Sequence, residues 1–167
     1  MRRHLAALLV AGALHASPAL AAGCVSPDDQ ATFDVAALKS DLMVLATDCN
    51  NDSDYNAVIN RFRAELLSND SELGRYFERV YGPAAQREHD AYITSLANAQ
   101  ADQGIKLGSD FCPRDNALFS EVMALPDSKD LAPYAAGKAL VPASLGACVE
   151  PLKQGPRMLT KKRRKHA

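Results

Sequence analysis

The stretch FDVAALKSDLMVLATDC (33–49) decides the fold. It sets Phe33, Ala37, Leu38, Leu42, Leu45 and Cys49 at three- and four-residue spacings, which is one face of an amphipathic helix. Thr32 is the expected N-cap, since its hydroxyl can accept from a free amide of the first turn. Asn50-Asn51-Asp52-Ser53 breaks the pattern and supplies capping side chains for the next helix. There Tyr55, Val58, Ile59, Phe62 and Leu66 repeat the same period.

Outward from this pair the period continues. Asn69 with Glu72 reads as a capping box opening a third helix, followed by Leu73, Tyr76, Phe77 and Val80. Gly82-Pro83 is a stop and a restart, because proline fits the first helical position. The next helix spans about 84–103 with Tyr92, Ile93, Leu96 and Ala99 turned inward, and Gly104 is placed to end it. Leu118, Phe119, Val122 and Leu125 form another stripe after Phe111-Cys112-Pro113. Pro126 stops that helix, and Asp127 with Asp130 starts a short last one reaching Lys138. No alternating run rich in Val, Ile and Thr is present, so no sheet is expected. The fold class is all-α, a compact bundle of five to six helices over residues 22–139. Pro142, Gly146, Pro151, Gly155 and Pro156 make 140–156 an irregular segment that closes the domain through Cys148.

The chain has 167 residues, 47% hydrophobic and 23% charged, with no Trp. That is enough for one ordinary globular domain. Residues 1–21, MRRHLAALLVAGALHASPALA, carry a positive start, an apolar run and small residues at Ala19 and Ala21, the pattern of a cleavable signal peptide. Export to the periplasm or beyond follows. Leu20-Ala21-Ala22-Gly23-Cys24 offers a lipoprotein anchor through Cys24 as the alternative. Parity argues against it: the four cysteines, Cys24, Cys49, Cys112 and Cys148, allow two disulfides in an oxidising compartment. Three pairings are possible. Helix ends favour Cys49–Cys112, and Cys24–Cys148 then ties the irregular termini.

Charge is uneven. Residues 22–156 hold 11 basic and 20 acidic side chains, a net of −9, while 157–165 hold six bases and no acid. An acidic body argues against a nucleic-acid partner. The run Lys161, Lys162, Arg163, Arg164 and Lys165 can touch an anionic surface, although a disordered, solubilising tail at 157–167 is the plainer reading. No stretch after the leader reaches the length of a membrane span.

The segments LKSDLMVLATDC (38–49), HDAYITSLANAQ (89–100) and DFCPR (110–114) resemble those of small exported proteins of alphaproteobacteria, over roughly residues 24–138. The resemblance implies a periplasmic helical protein and carries no activity, ligand or catalytic residue.

Candidate chemistry is sparse. Asp48 to Asp54 places oxygen ligands at alternate positions, like the opening of a calcium-binding loop. Ser53 stands where glycine is wanted, and Ile59 where the bidentate Glu belongs. A polar interhelical turn explains the same residues. His89 has Glu88 and Asp90 on other helix faces, so it reads as a half-buried histidine hydrogen-bonded to a neighbouring helix. Glu65, Glu72, Glu78 and Glu88 can supply paired carboxylates for hydrolysis if they meet in space; otherwise they are a solvated face. Tyr55, Phe62, Tyr76, Phe77, Tyr81 and Tyr92 are core at helical spacing before they are a pocket. No nucleophile elbow, phosphate loop or dinucleotide fingerprint is present, so neither a cofactor nor a metal is expected. The reading is a non-enzymatic periplasmic accessory or binding protein that meets an envelope component. A secreted hydrolase of envelope polymer, with a helical carboxylate site, is the alternative.

Overall fold

The computed structural model describes residues 25–142. The expected leader 1–21, the Cys24–Cys148 bridge, most of the 140–156 segment and the Lys161–Lys165 run lie outside those residues. Among the described residues there is no strand. The helices are α1 (Pro27–Cys49), α2 (Asp52–Arg61), α3 (Arg63–Tyr81), α4 (Ala85–Leu107), α5 (Phe111–Asp115), α6 (Ala117–Met123) and α7 (Leu131–Lys138). Five of the seven have eight residues or more.

Helix α1 is the axis of the molecule. It touches α2, α3, α4, α5 and α7, and Thr32 to Leu38 are buried without interruption. A helix buried on all sides replaces the one-faced helix read from spacing alone. Its small residues Ala36 and Ala37 admit neighbours on the faces that larger side chains would have closed. The start also moves. Ser26, not Thr32, is the N-cap: its Oγ accepts from the Asp29 amide at 3.1 Å, with Pro27 next and Asp28 and Asp29 in the first turn. Cap, proline and acidic charge all favour that start. Thr32 instead lies inside the helix and donates to the Asp28 carbonyl at 3.2 Å.

Three further expectations are corrected. The break after α2 falls at Phe62, which is 1% exposed, so the side chain that had been placed mid-helix anchors the bend in the core. Asn69 opens no helix. It belongs to the buried stripe Leu66, Asn69, Leu73 and Phe77 of α3, and its Nδ2 donates to the Thr32 carbonyl at 3.2 Å. Gly104 ends no helix either. A Cβ there would meet the Phe111 ring at 3.1 Å, so glycine lets α4 and the ring approach closely. Gly108, at φ +56°, is the residue that closes α4.

The Cys49–Cys112 disulfide joins the end of α1 to the start of α5, with Cα atoms 5.6 Å apart. It closes a sequence separation of 63 residues, which in the chain-entropy account stabilises the fold by about 4 kcal/mol. Arg61 extends the tie by donating to the carbonyls of Met123 and Leu125 at the end of α6. Asp127 and Asp130, the expected start of the last helical stretch, form a capping box before α7, which packs Leu131 and Ala135 onto the core. A smaller cluster of Phe33, Ala36, Leu73 and Phe77 fills the space between α1 and α3.

Candidate functional site

Asp41 lies in the second half of α1, two turns before Cys49. The disulfide carries α5 alongside, and with it Asp115, at the end of that short helix. Both aspartates line a cleft of about 450 Å³, whose other walls are Gln100 and Gln103 of α4, Phe111, and the chain from Lys138 to Pro142. A smaller hollow of about 140 Å³ shares Asp41, Asp115, Lys138 and Leu140 and adds Arg114 and Glu121.

The polar groups of this cleft differ in what they have left to offer. Lys138 is engaged: its Nζ donates to the Glu121 carboxylate, which also accepts from the Tyr134 hydroxyl at 2.6 Å. Lys138 and then Tyr134 hold the Glu121 carboxyl below the usual carboxylate range. Arg114, 69% exposed at its side chain, stands 3.8 Å from Asp115, a loose surface pair. Asp41 has no donor within hydrogen-bond distance among the described residues. Burial, and secondly the charge of Asp115, push its carboxyl up to about 6.

Gln100 is the most constrained member. It is 6% exposed, and its Nε2 donates to the Ala37 carbonyl of α1 at 2.9 Å. That bond fixes the amide's orientation, because a carbonyl accepts only from the nitrogen. Oε1 is left buried without a partner. A buried, unpartnered acceptor costs about 1–3 kcal/mol, and native folds rarely keep one without use. Ser40 Oγ and Tyr92 Oη share that condition, and burial also raises the Tyr92 phenol.

A second cleft of about 430 Å³ lies between α1 and α3, lined by Asp28, Thr32, Glu65, Ser68, Asn69 and Glu72 among others. Of the four glutamates proposed as a carboxylate set, it collects Glu65 and Glu72 and neither Glu78 nor Glu88. Glu72 is exposed and stands 3.7 Å from Arg75, and Glu88 is hydrogen-bonded by Arg87. These are features of a solvated face.

Other candidates find structural roles. Asp52 and Asp54 belong to the first turn of α2, leaving only Asn50 and Asn51 between α1 and α2, so no twelve-residue calcium loop exists. Asn50, at φ 58°, is the left-handed cap of α1. Among the described residues no three His, Cys, Asp or Glu side chains converge on a metal position. His89 is half-buried against the Phe77 ring, centroids 5.2 Å apart, in place of the expected hydrogen bond. Phe33 meets Tyr76 at 4.8 Å and Tyr92 at 5.0 Å edge to face, so these aromatics are packing.

The residues that sequence reading missed are Asp41, Gln100 and Asp115. Gln100 had a signal, since Ile93, Leu96 and Gln100 continue the inward three- and four-residue spacing of α4. Comparison with protein-family models, curated proteins and solved structures finds no match to this chain, so its own geometry carries the functional reading.

Proposed function

We propose that this chain is an exported, non-enzymatic binding module of the bacterial cell envelope that takes its ligand in the cleft between α1, α4 and α7. The observation that carries the reading is a cleft lined both by Asp41, which has no donor among the described residues, and by Gln100, whose buried Oε1 has no partner. A cleft of about 450 Å³ is in the range of small-molecule sites. The Cys49–Cys112 bridge favours an oxidising compartment, as do the signal-like residues 1–21. No helix among the described residues is long and apolar enough to cross a membrane. The basic run 161–165 gives such a module a contact for an anionic surface of the envelope.

Asp41 also favours a second reading, the hydrolase. A carboxyl raised to about 6 beside a second carboxylate is the arrangement of a general acid and its partner. Digestion of purified envelope polymer by the full chain, compared with Asp41→Asn, separates the two. The binding reading expects no product from either protein, and release of soluble fragments that Asp41→Asn abolishes would replace it with the hydrolase.

A further inference from the structure

The cleft between α1, α4 and α7 specifies a charge as well as a size, and the inference below rests on its being a ligand site. Its polar lining is rich in acceptors: the Asp41 carboxylate and the Gln100 Oε1 have no donor among the described residues, Asp115 is only loosely paired with Arg114, and the exposed Gln103 amide offers a donor and an acceptor alike. The one ammonium on its wall, Lys138, is held by Glu121, and Arg114 lies on the exposed rim near Asp115. A ligand that satisfies such a site donates hydrogen bonds and carries positive charge.

The rest of the wall favours an organic ligand over a bare metal ion. Phe111, Leu140, Val141 and Pro142 present hydrocarbon there, whereas calcium takes six to eight oxygens and magnesium a near-octahedral set. The carboxylates and amide oxygens here leave much of either shell to water, and water does not use the hydrocarbon walls. Hydrocarbon faces suit an aliphatic stem, and the volume holds one of several carbons. We infer that the cleft binds a small organic cation, a primary ammonium or guanidinium on an aliphatic chain, with the cationic head on Asp41 and Asp115, on the side of the cleft that Gln100 lines, and the stem on Phe111 and Leu140.

The same geometry makes binding sensitive to pH. The charged groups facing Asp41 are Asp115 and Arg114 from α5, Glu121 from α6 and Lys138 from α7. With its carboxyl at about 6, Asp41 is ionised at pH 7.5 and only about a tenth ionised at pH 5. A cation loses its counter-charge on that descent.

Titration of the full chain with 1,4-diaminobutane, read at the Gln100 side-chain amide by NMR and by calorimetry, tests the assignment. The diamine is expected to shift that amide and to bind about tenfold more weakly at pH 5 than at pH 7.5. Asp41→Asn should weaken binding at least tenfold at pH 7.5, with Glu72→Gln unchanged. If 1,4-butanediol, glutarate or magnesium shifts the amide and the diamine does not, the cationic class is wrong and the binding reading survives. If no probe of any charge moves it, both are wrong. If replacing all of Lys161, Lys162, Arg163, Arg164 and Lys165 by glutamine moves it with no probe added, the chain's own basic run is the occupant, and the free ligand is overturned.

Discussion

The two clefts of this molecule are nearly equal in volume and both acidic, yet they are built differently. Each has a buried amide donating to a carbonyl of α1: Gln100 to Ala37 in one, Asn69 to Thr32 in the other. Helix α1 thus holds α3 and α4 by the same device, using the second lone pair of a carbonyl already bonded within the helix. The difference lies in what surrounds each amide. Beside Asn69 the carboxylate of Glu72 is exposed and near Arg75. In the cleft that Gln100 lines, the carboxylate of Asp41 is half-buried and left without a donor, and the buried Gln100 oxygen has no partner. Burial without a partner, and not the number of acidic residues, distinguishes a site from a solvated face.

The largest expected effect comes from removing the tie that creates the Asp41 cleft. The Cys49→Ser/Cys112→Ser double variant should lose about 4 kcal/mol in denaturant unfolding. Because the bridge holds α5 against α1, amide exchange should rise first at Phe111–Asp115, while α3 around Leu73 keeps its protection up to global unfolding. A loss below about 1 kcal/mol, or equal loosening of both clefts, would show that α5 is held by packing alone.

Next comes the charge itself. The folded-state carboxyl of Asp41 is raised from its ordinary 3.8 to about 6, so the fold favours the protonated form more than the unfolded chain does. Its favourable contribution is complete below about pH 3.8 and is lost as pH rises through 6. Asp41→Asn, which stays neutral, should therefore stabilise the protein by about 2 kcal/mol at pH 7.5 and by almost nothing near pH 4. Glu72→Gln in the other cleft should stay within about 0.5 kcal/mol at both values. Thermal unfolding of both variants at the two pH values decides it. An Asp41→Asn effect that does not vary with pH would mean the carboxylate is solvated, and the two clefts would then be alike. The expected gain in stability accompanies the expected loss of ligand, as is common where a site keeps a buried charge for function.

How far this contrast could be read in the sequence depends on the range of the contacts involved. The Cys49–Cys112 pairing was legible, because helix periodicity placed both cysteines at helix ends. So were the Asp127–Asp130 start and the Lys138 end of α7, which rest on local capping and one proline. Thr32, Asn69 and Gly104 were misread for a common reason. Each residue type is favoured at a helix end when it has nothing else to satisfy it, and here Thr32 bonds back to its own helix while Asn69 and Gly104 meet neighbours across the core. The site was illegible because it is tertiary. Asp41 in an apolar helix and Asp115 three residues after Cys112 become neighbours only once the disulfide is accepted and α5 is laid along α1.

The smallest expected effect compares two helical glycines, one on each side of α1. At Gly74 in α3 an added Cβ meets nothing within 4 Å, so Gly74→Ala should gain about 0.5–1 kcal/mol from helix propensity and the reduced freedom of the unfolded chain. At Gly104 in α4 the same methyl meets three carbons of the Phe111 ring at 3.1–3.2 Å. That ring is 7% exposed and adjoins Cys112, so it cannot swing into solvent, and the ring must shift by a few tenths of an ångström inside a packed core. Gly104→Ala is expected to lose about 1 kcal/mol net, overpacking outweighing propensity. Because Phe111 is also a wall of the Asp41 cleft, its movement should weaken diamine binding, which Gly74→Ala leaves untouched. Denaturant unfolding of the two variants, with calorimetric titration beside it, gives both readings. Equal stabilisation at the two positions would show that Phe111 yields freely and that the α4 wall of the cleft is not rigid.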